Sequence, residues 1–184
     1  AYNILTARND VDAIILPGDY MYEYGTGEYP QTATPVRLIE PLNEITTLAD
    51  YRMRYSQYRL DNDLLRLHQQ YPFMVVWDDH EFADNAWKNG AFNHDIVTEG
   101  SWGGRKAAAM QAYFEWLPIR LPEPVNDPTR IFRTIPFGNL CNLYFLDTRI
   151  YGRDQQDGTS NFDTARTMLG SAQLNWFKNE LYNS

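Results

Sequence analysis

The sequence predicts an α/β fold, and three observations carry that prediction. Two short apolar runs, VDAIIL at 11–16 and FMVVW at 73–77, are rich in branched and aromatic residues and read as buried strands. Between them, over 46–70, Leu48, Tyr51, Tyr55, Tyr58 and Leu65 recur at helical spacing. Strand, helix and strand in that order favour parallel pairing across a helical connection.

Taken in order, residues 1–10 read as the end of a helix, and Pro17-Gly18 ends the first strand. Residues 25–43 carry Gly, Pro and Thr without periodicity and read as a surface loop. Over 46–70, Arg52, Arg54, Arg59, Asp61, Asp63 and Arg66 mostly fill the positions between the apolar ones, which predicts one long helix stopped by Pro72. A polar loop runs from the second strand to Gly104, and 105–116 (RKAAAMQAYFEW) has high helix propensity up to Pro118. Residues 131–136 and 140–146 read as a hairpin turning at Phe137-Gly138-Asn139. Ser171 is expected to cap a last helix ending near Leu181. No repeat or clear linker interrupts the chain, and 184 residues with 43% hydrophobic and 15% aromatic content suit one domain, 1–184, with a real core.

Composition excludes several classes. A formal charge of -8 without a basic stripe argues against specific nucleic-acid binding. Cys141 is the only cysteine, so there is neither an internal disulfide nor a multi-cysteine zinc site, and its strand position reads as a small core residue. No apolar run approaches the roughly 20 residues of a membrane span. The first ten residues lack a secretory signal's basic start and apolar stretch, and the chain begins at Ala, so it reads as a processed product or an excerpt.

Both predicted strands end in carboxylates: the first at Asp19, the second at Asp78 and Asp79. Ligand sites of α/β sheets lie beyond the carboxyl ends of strands, so the two loops can converge. Carboxylates so gathered repel one another, and a multivalent cation is the ordinary remedy. His80 adds a group able to donate a proton near neutrality, and Asn85 a neutral oxygen ligand. Hard oxygen donors with one histidine suit Ca²⁺, Mg²⁺, Mn²⁺ or iron. The competing reading is a turn-forming Asp19 and a solvated Asp-Asp-His-Glu loop. His68 on the long helix and His94 in the polar loop read as structural or solvated, and Tyr51, Tyr55 and Tyr58 as helix core.

Five ordered motifs carry a family resemblance: residues 18–24 (GDYMYEY), 51–55 (YRMRY), 77–81 (WDDHE) followed by Asn85, Arg105 with 112–118 (AYFEWLP), and 147–149 (DTR); residues 168–170 (MLG) fit as well. Together they resemble the PhoD-like alkaline phosphatases, of the calcineurin-like metallophosphoesterase superfamily, over nearly the whole chain. The resemblance implies a sandwich of two sheets flanked by helices, incomplete in this chain, and metal-dependent hydrolysis of phosphate mono- or diesters. It implies Fe³⁺ and Ca²⁺ as cofactors, with Asp19 as a bridging carboxylate, Tyr22 as an iron-binding phenolate, and Asp78 or Asp79 with Asn85 as calcium ligands. His80 matches a histidine kept beside the phosphate, and Arg105 a phosphate-binding arginine. Asp147 and Arg149 match a motif as well, read as a strand-end ion pair or a substrate contact. An extracellular or periplasmic location is implied in the same way.

The family's upstream cysteine ligand and its downstream Asp and His ligands have no counterpart between Ala1 and Ser184, which leads to the expectation of impaired activity in this chain. The alternative is a catalytically inert domain that binds a metal or a partner. A serine α/β hydrolase is disfavoured because no Gly-x-Ser-x-Gly elbow occurs.

Overall fold

The computed structural model describes residues 2–29, 38–117, 119–120, 127, 129–156 and 162–184. After a short helix α1 (Tyr2–Thr6), strand β1 (Ile14–Leu16) pairs in parallel with β2 (Phe73–Val75), Ile14 opposite Phe73 and Leu16 opposite Val75. The α/β class and the parallel pairing follow the sequence expectation.

The connection is not one helix but two, α2 (Leu48–Arg59) and α3 (Asn62–Gln70). The break has a local cause. Asp61 caps α3, its carboxylate accepting the N–H groups of Asp63 and Leu64 at 2.9 Å each. At the start of α2, Thr47 and Asp50 form a capping box. Asp61→Ala is expected to lower stability by about 1 kcal/mol in urea denaturation; an unchanged midpoint would mean that packing alone sets the break.

Helix α4 (Trp102–Trp116) begins before the expected Arg105, because Ser101 caps it by accepting the Gly104 N–H at 3.2 Å. Strands β3 (Arg133–Phe137) and β4 (Cys141–Phe145) form the expected antiparallel hairpin, with Gly138 left-handed (φ 57°) in the turn. Cys141 is exposed rather than core, because it lies at the solvent-facing turn end of a strand whose buried end is Phe145. The last helix, α5 (Gly170–Tyr182), has Leu169 at its N-cap position and no side-chain cap, so Ser171 lies inside it. It is docked instead by buried Gln173, whose amide accepts the Asp147 N–H and donates to the Asp147 carbonyl, both at 2.8 Å.

The core lies where α2 and α4 meet the strand ends. Trp77, at the exit of β2, meets Phe82 and Tyr113 edge-on with centroids 5.1 and 5.3 Å apart, contacts worth roughly 0.5–1.5 kcal/mol each beyond burial. Tyr51 and Tyr55 are fully buried, as their spacing implied. Arg54 is too, although its place among the charged positions of the helix did not suggest it. His68 is structural, stacked on Phe73 with Nε2 2.9 Å from the Tyr20 hydroxyl. Among the described residues no helix is long and apolar enough to cross a membrane.

Candidate metal and phosphate site

The loops that leave β1 and β2 touch, and glycine is what lets them. Gly18 has φ 130°, and a Cβ there would sit 2.3 Å from the Asp78 backbone nitrogen. Asp19 follows in the left-handed region (φ 56°), which Asp tolerates better than most residues. Helix α2 braces both loops. Buried Arg54 donates to the carbonyl of Tyr22 and to those of Tyr24 and Pro41 at 3.0 Å, while the Tyr51 hydroxyl donates to the Phe82 carbonyl. A buried guanidinium without a carboxylate is tolerable because backbone oxygens satisfy it.

On this frame Asp19, Asp79 and His80 bring one potential ligand atom each to within 4.8 Å of one another. Tyr22 lies against them, its ring 4.3 Å from the imidazole and its hydroxyl donating to Asp19 Oδ2 at 3.4 Å. His80 Nδ1 is 2.7 Å from Glu23, a fully buried carboxylate that also accepts the Asp84 N–H at 2.6 Å and the Asn93 amide at 3.2 Å. Arg149 closes the other side, with Nε 2.5 Å from Asp78 and Nη2 3.4 Å from Asp79. Two buried polar atoms among these side chains have no hydrogen-bond partner, Asp19 Oδ1 and Arg149 Nη1.

Charge is concentrated accordingly. Burial raises the Asp19 carboxyl, with the Asp78 and Asp79 charges adding and His80 opposing. Burial also raises Asp79, against the pull of Arg149. At His80 burial acts downward, but the bond to Glu23 and the charges of Glu23, Asp79 and Asp19 outweigh it and push the imidazole up to about 9. Burial and the Asp19 charge push the Tyr22 phenol up to about 12. Glu81, fully enclosed beneath the loops, is pushed up to about 7 by burial. An acceptor left open on Asp19 and a second carboxylate on Asp79, with Tyr22 at hand, make a donor set that fits a hard cation, and the His80 imidazole stands beside it.

Not every expected residue joins the cluster. Asp78 adjoins it but is engaged by Arg149. Asn85, left-handed at φ 51° with an exposed side chain, serves Asp79 through its backbone N–H at 2.6 Å. Arg105 is engaged elsewhere. Its side chain is wholly buried, with Nη2 2.7 Å from Glu44, Nη1 2.7 Å from Glu99 and 2.9 Å from the Asn93 carbonyl, and Nε 3.2 Å from the Tyr51 hydroxyl. A guanidinium so committed braces the core beneath the site. His94 and Glu99 belong to the same buried network. Sequence reasoning missed Glu23 and Glu81, and left the partner of Arg149 undecided. Glu23 sits inside the 18–24 motif, but only the fold reveals that it faces His80.

Known proteins resemble this chain in sequence and in fold. The family model of the PhoD-like phosphatases matches residues 1–184. Alkaline phosphatase D of Bacillus subtilis (strain 168) is 37% identical over 190 aligned residues, covering 97% of this chain and 31% of that protein. A solved structure of PhoD superposes with a TM-score of 0.86 at 36% identity, over 98% of this chain and 35% of the other. The chain thus spans about a third of the length of the relatives it matches. With its motifs in order along the whole match, the chain belongs to the PhoD-like phosphatase family.

Proposed function

We propose that this chain carries the central part of the catalytic domain of a metal-dependent phosphoric ester hydrolase, acting on phosphate mono- or diesters. The observation that carries the reading is the convergence of Asp19, Asp79 and His80 within 4.8 Å beside a guanidinium, Arg149, that has a donor to spare. Family membership supports it. In the resemblance, residues 1–184 are one domain within a two-sheet sandwich, located outside the cell or in the periplasm.

Asp19 and Tyr22 would hold one cation, iron by resemblance, and Asp79 a second, calcium by resemblance, with Asn85 and Asp78 at its margin. Asp79 is the better candidate of the adjacent pair, because Arg149 already neutralises Asp78. The chemistry a bound cation supplies is neutralisation of phosphoryl charge and a more acidic water. His80, with Nδ1 tied to Glu23, has Nε2 left to donate a proton to the departing alkoxide oxygen, and it stays protonated well into the alkaline range. Arg149, beside the carboxylates of the cluster, supplies in place of Arg105 the positive charge that offsets a non-bridging phosphate oxygen.

Turnover of p-nitrophenyl phosphate, measured with elemental analysis of the purified chain, tests this. Weak hydrolysis that EDTA removes and added metal restores is the expected result. Chelator-resistant hydrolysis overturns it, and a folded chain that holds metal without turnover points to the inert metal-binding alternative.

A further inference from the structure

We propose that Glu81 is a positioning residue that staples the two ligand-bearing loops together before any cation or phosphate arrives, an inference that rests on the site assignment above. The side chain is 1% exposed. One carboxylate oxygen accepts the Tyr20 N–H at 2.6 Å, and the other accepts the Asp78 N–H at 2.9 Å. Tyr20 directly follows Asp19, and Asp78 directly precedes Asp79, so the two amides fix the backbone beside both carboxylates of the cluster. Charge-assisted bonds to backbone N–H groups are among the stronger polar contacts available to a buried carboxylate.

Two further observations show why a staple is needed there. The ladder between β1 and β2 ends at the bond from the Val76 N–H to the Leu16 carbonyl, 3.2 Å. Past that point the chains must stay close enough that Gly18 has no room for a Cβ against Asp78. Meanwhile Asp19, Asp78 and Asp79 gather like charge at the same place, which pushes the loops apart. The nearby guanidinium of Arg149 reaches Asp78 and Asp79 through Nε and Nη2, both on the β2 loop, and does not link the β1 loop to it. Glu81 does so through the backbone, leaving the side chains of Asp19 and Asp79 free to meet a ligand. Its own charge is hidden below the loops rather than added to the cluster.

Amide hydrogen exchange on the metal-free chain, paired with Mn²⁺ titration, tests the staple in wild type and Glu81→Gln. Gln keeps the shape and one acceptor oxygen but turns an NH₂ group toward the other amide. The Tyr20 and Asp78 amides are expected to exchange at least about tenfold faster in the variant, together, with the α2 amides unchanged, and Mn²⁺ affinity to fall by roughly 10–100-fold as for other outer partners of metal ligands. Acceleration at Asp78 alone, at neither amide, or at both with unaltered Mn²⁺ affinity overturns the proposal. If Glu81→Gln does not fold, exchange of the wild-type chain in low urea decides: one carboxylate holding both amides makes them open at one common free energy, and separate values overturn it. A wild-type chain that binds no Mn²⁺ sinks the metal-site reading, while the exchange data still judge the staple.

Discussion

Asp19→Asn is expected to weaken Mn²⁺ or Ca²⁺ binding by at least about 100-fold, the upper end of what losing even an outer partner of a metal ligand costs, while leaving the metal-free chain as stable as wild type or more so. The two halves of this result have different causes. Asp19 Oδ1 is buried with no hydrogen-bond partner, and the carboxyl is raised by burial with the charges of Asp78 and Asp79 adding to it. Without a cation the negative charge there is a burden on the fold, and the neutral amide relieves it. Asn is the informative replacement because, like Asp, it tolerates the left-handed backbone at φ 56°, whereas Ala would add strain of its own. Isothermal titration and thermal melts with and without EDTA read both effects. A variant that melts lower yet binds metal normally would return Asp19 to its bland reading as a turn former.

The second large effect concerns pH. His80 is held at about 9 in the folded chain against an ordinary 6.5, so the folded state keeps a proton that the unfolded state releases across that interval. The stabilisation is therefore complete below pH 6.5 and lost as pH rises through 9. It amounts to about 3 kcal/mol at 1.36 kcal/mol per unit. Glu81, raised to about 7, gives a loss of the same sign at lower pH, between its ordinary 4.5 and 7. Glu23→Gln isolates the histidine: its amide oxygen still accepts the Asp84 N–H, and its NH₂ group suits a neutral Nδ1, so the decline between pH 6.5 and 9 should vanish. Urea denaturation of the metal-free wild type and variant at pH 6, 7.5 and 9 measures this. Equal slopes in the two proteins would show that the Glu23 carboxylate does not hold the His80 proton.

Local chemistry made much of this protein legible in its sequence. The apolar runs before Asp19 and before Asp78 mark both strands, because branched and aromatic residues ended by Pro-Gly or by charge have few other homes. The same runs point to the carboxylates, since whatever follows a buried strand in an α/β fold emerges at its carboxyl end. The hairpin at Gly138 and the buried faces of Tyr51 and Tyr55 were readable for similar reasons. The tertiary structure alone decided which charges are buried and with whom. Arg54, Arg105 and Arg149 look alike in sequence, yet one is satisfied by backbone carbonyls, one by two half-buried glutamates, and one by the carboxylates of the site. A guanidinium's partner is set by what lies within hydrogen-bond reach in space, and its partners here stand 6 to 71 positions away in the chain. For the same reason Glu23 and Glu81 declared nothing: each role depends on a contact with a residue 57 or 61 positions distant, which no local pattern records.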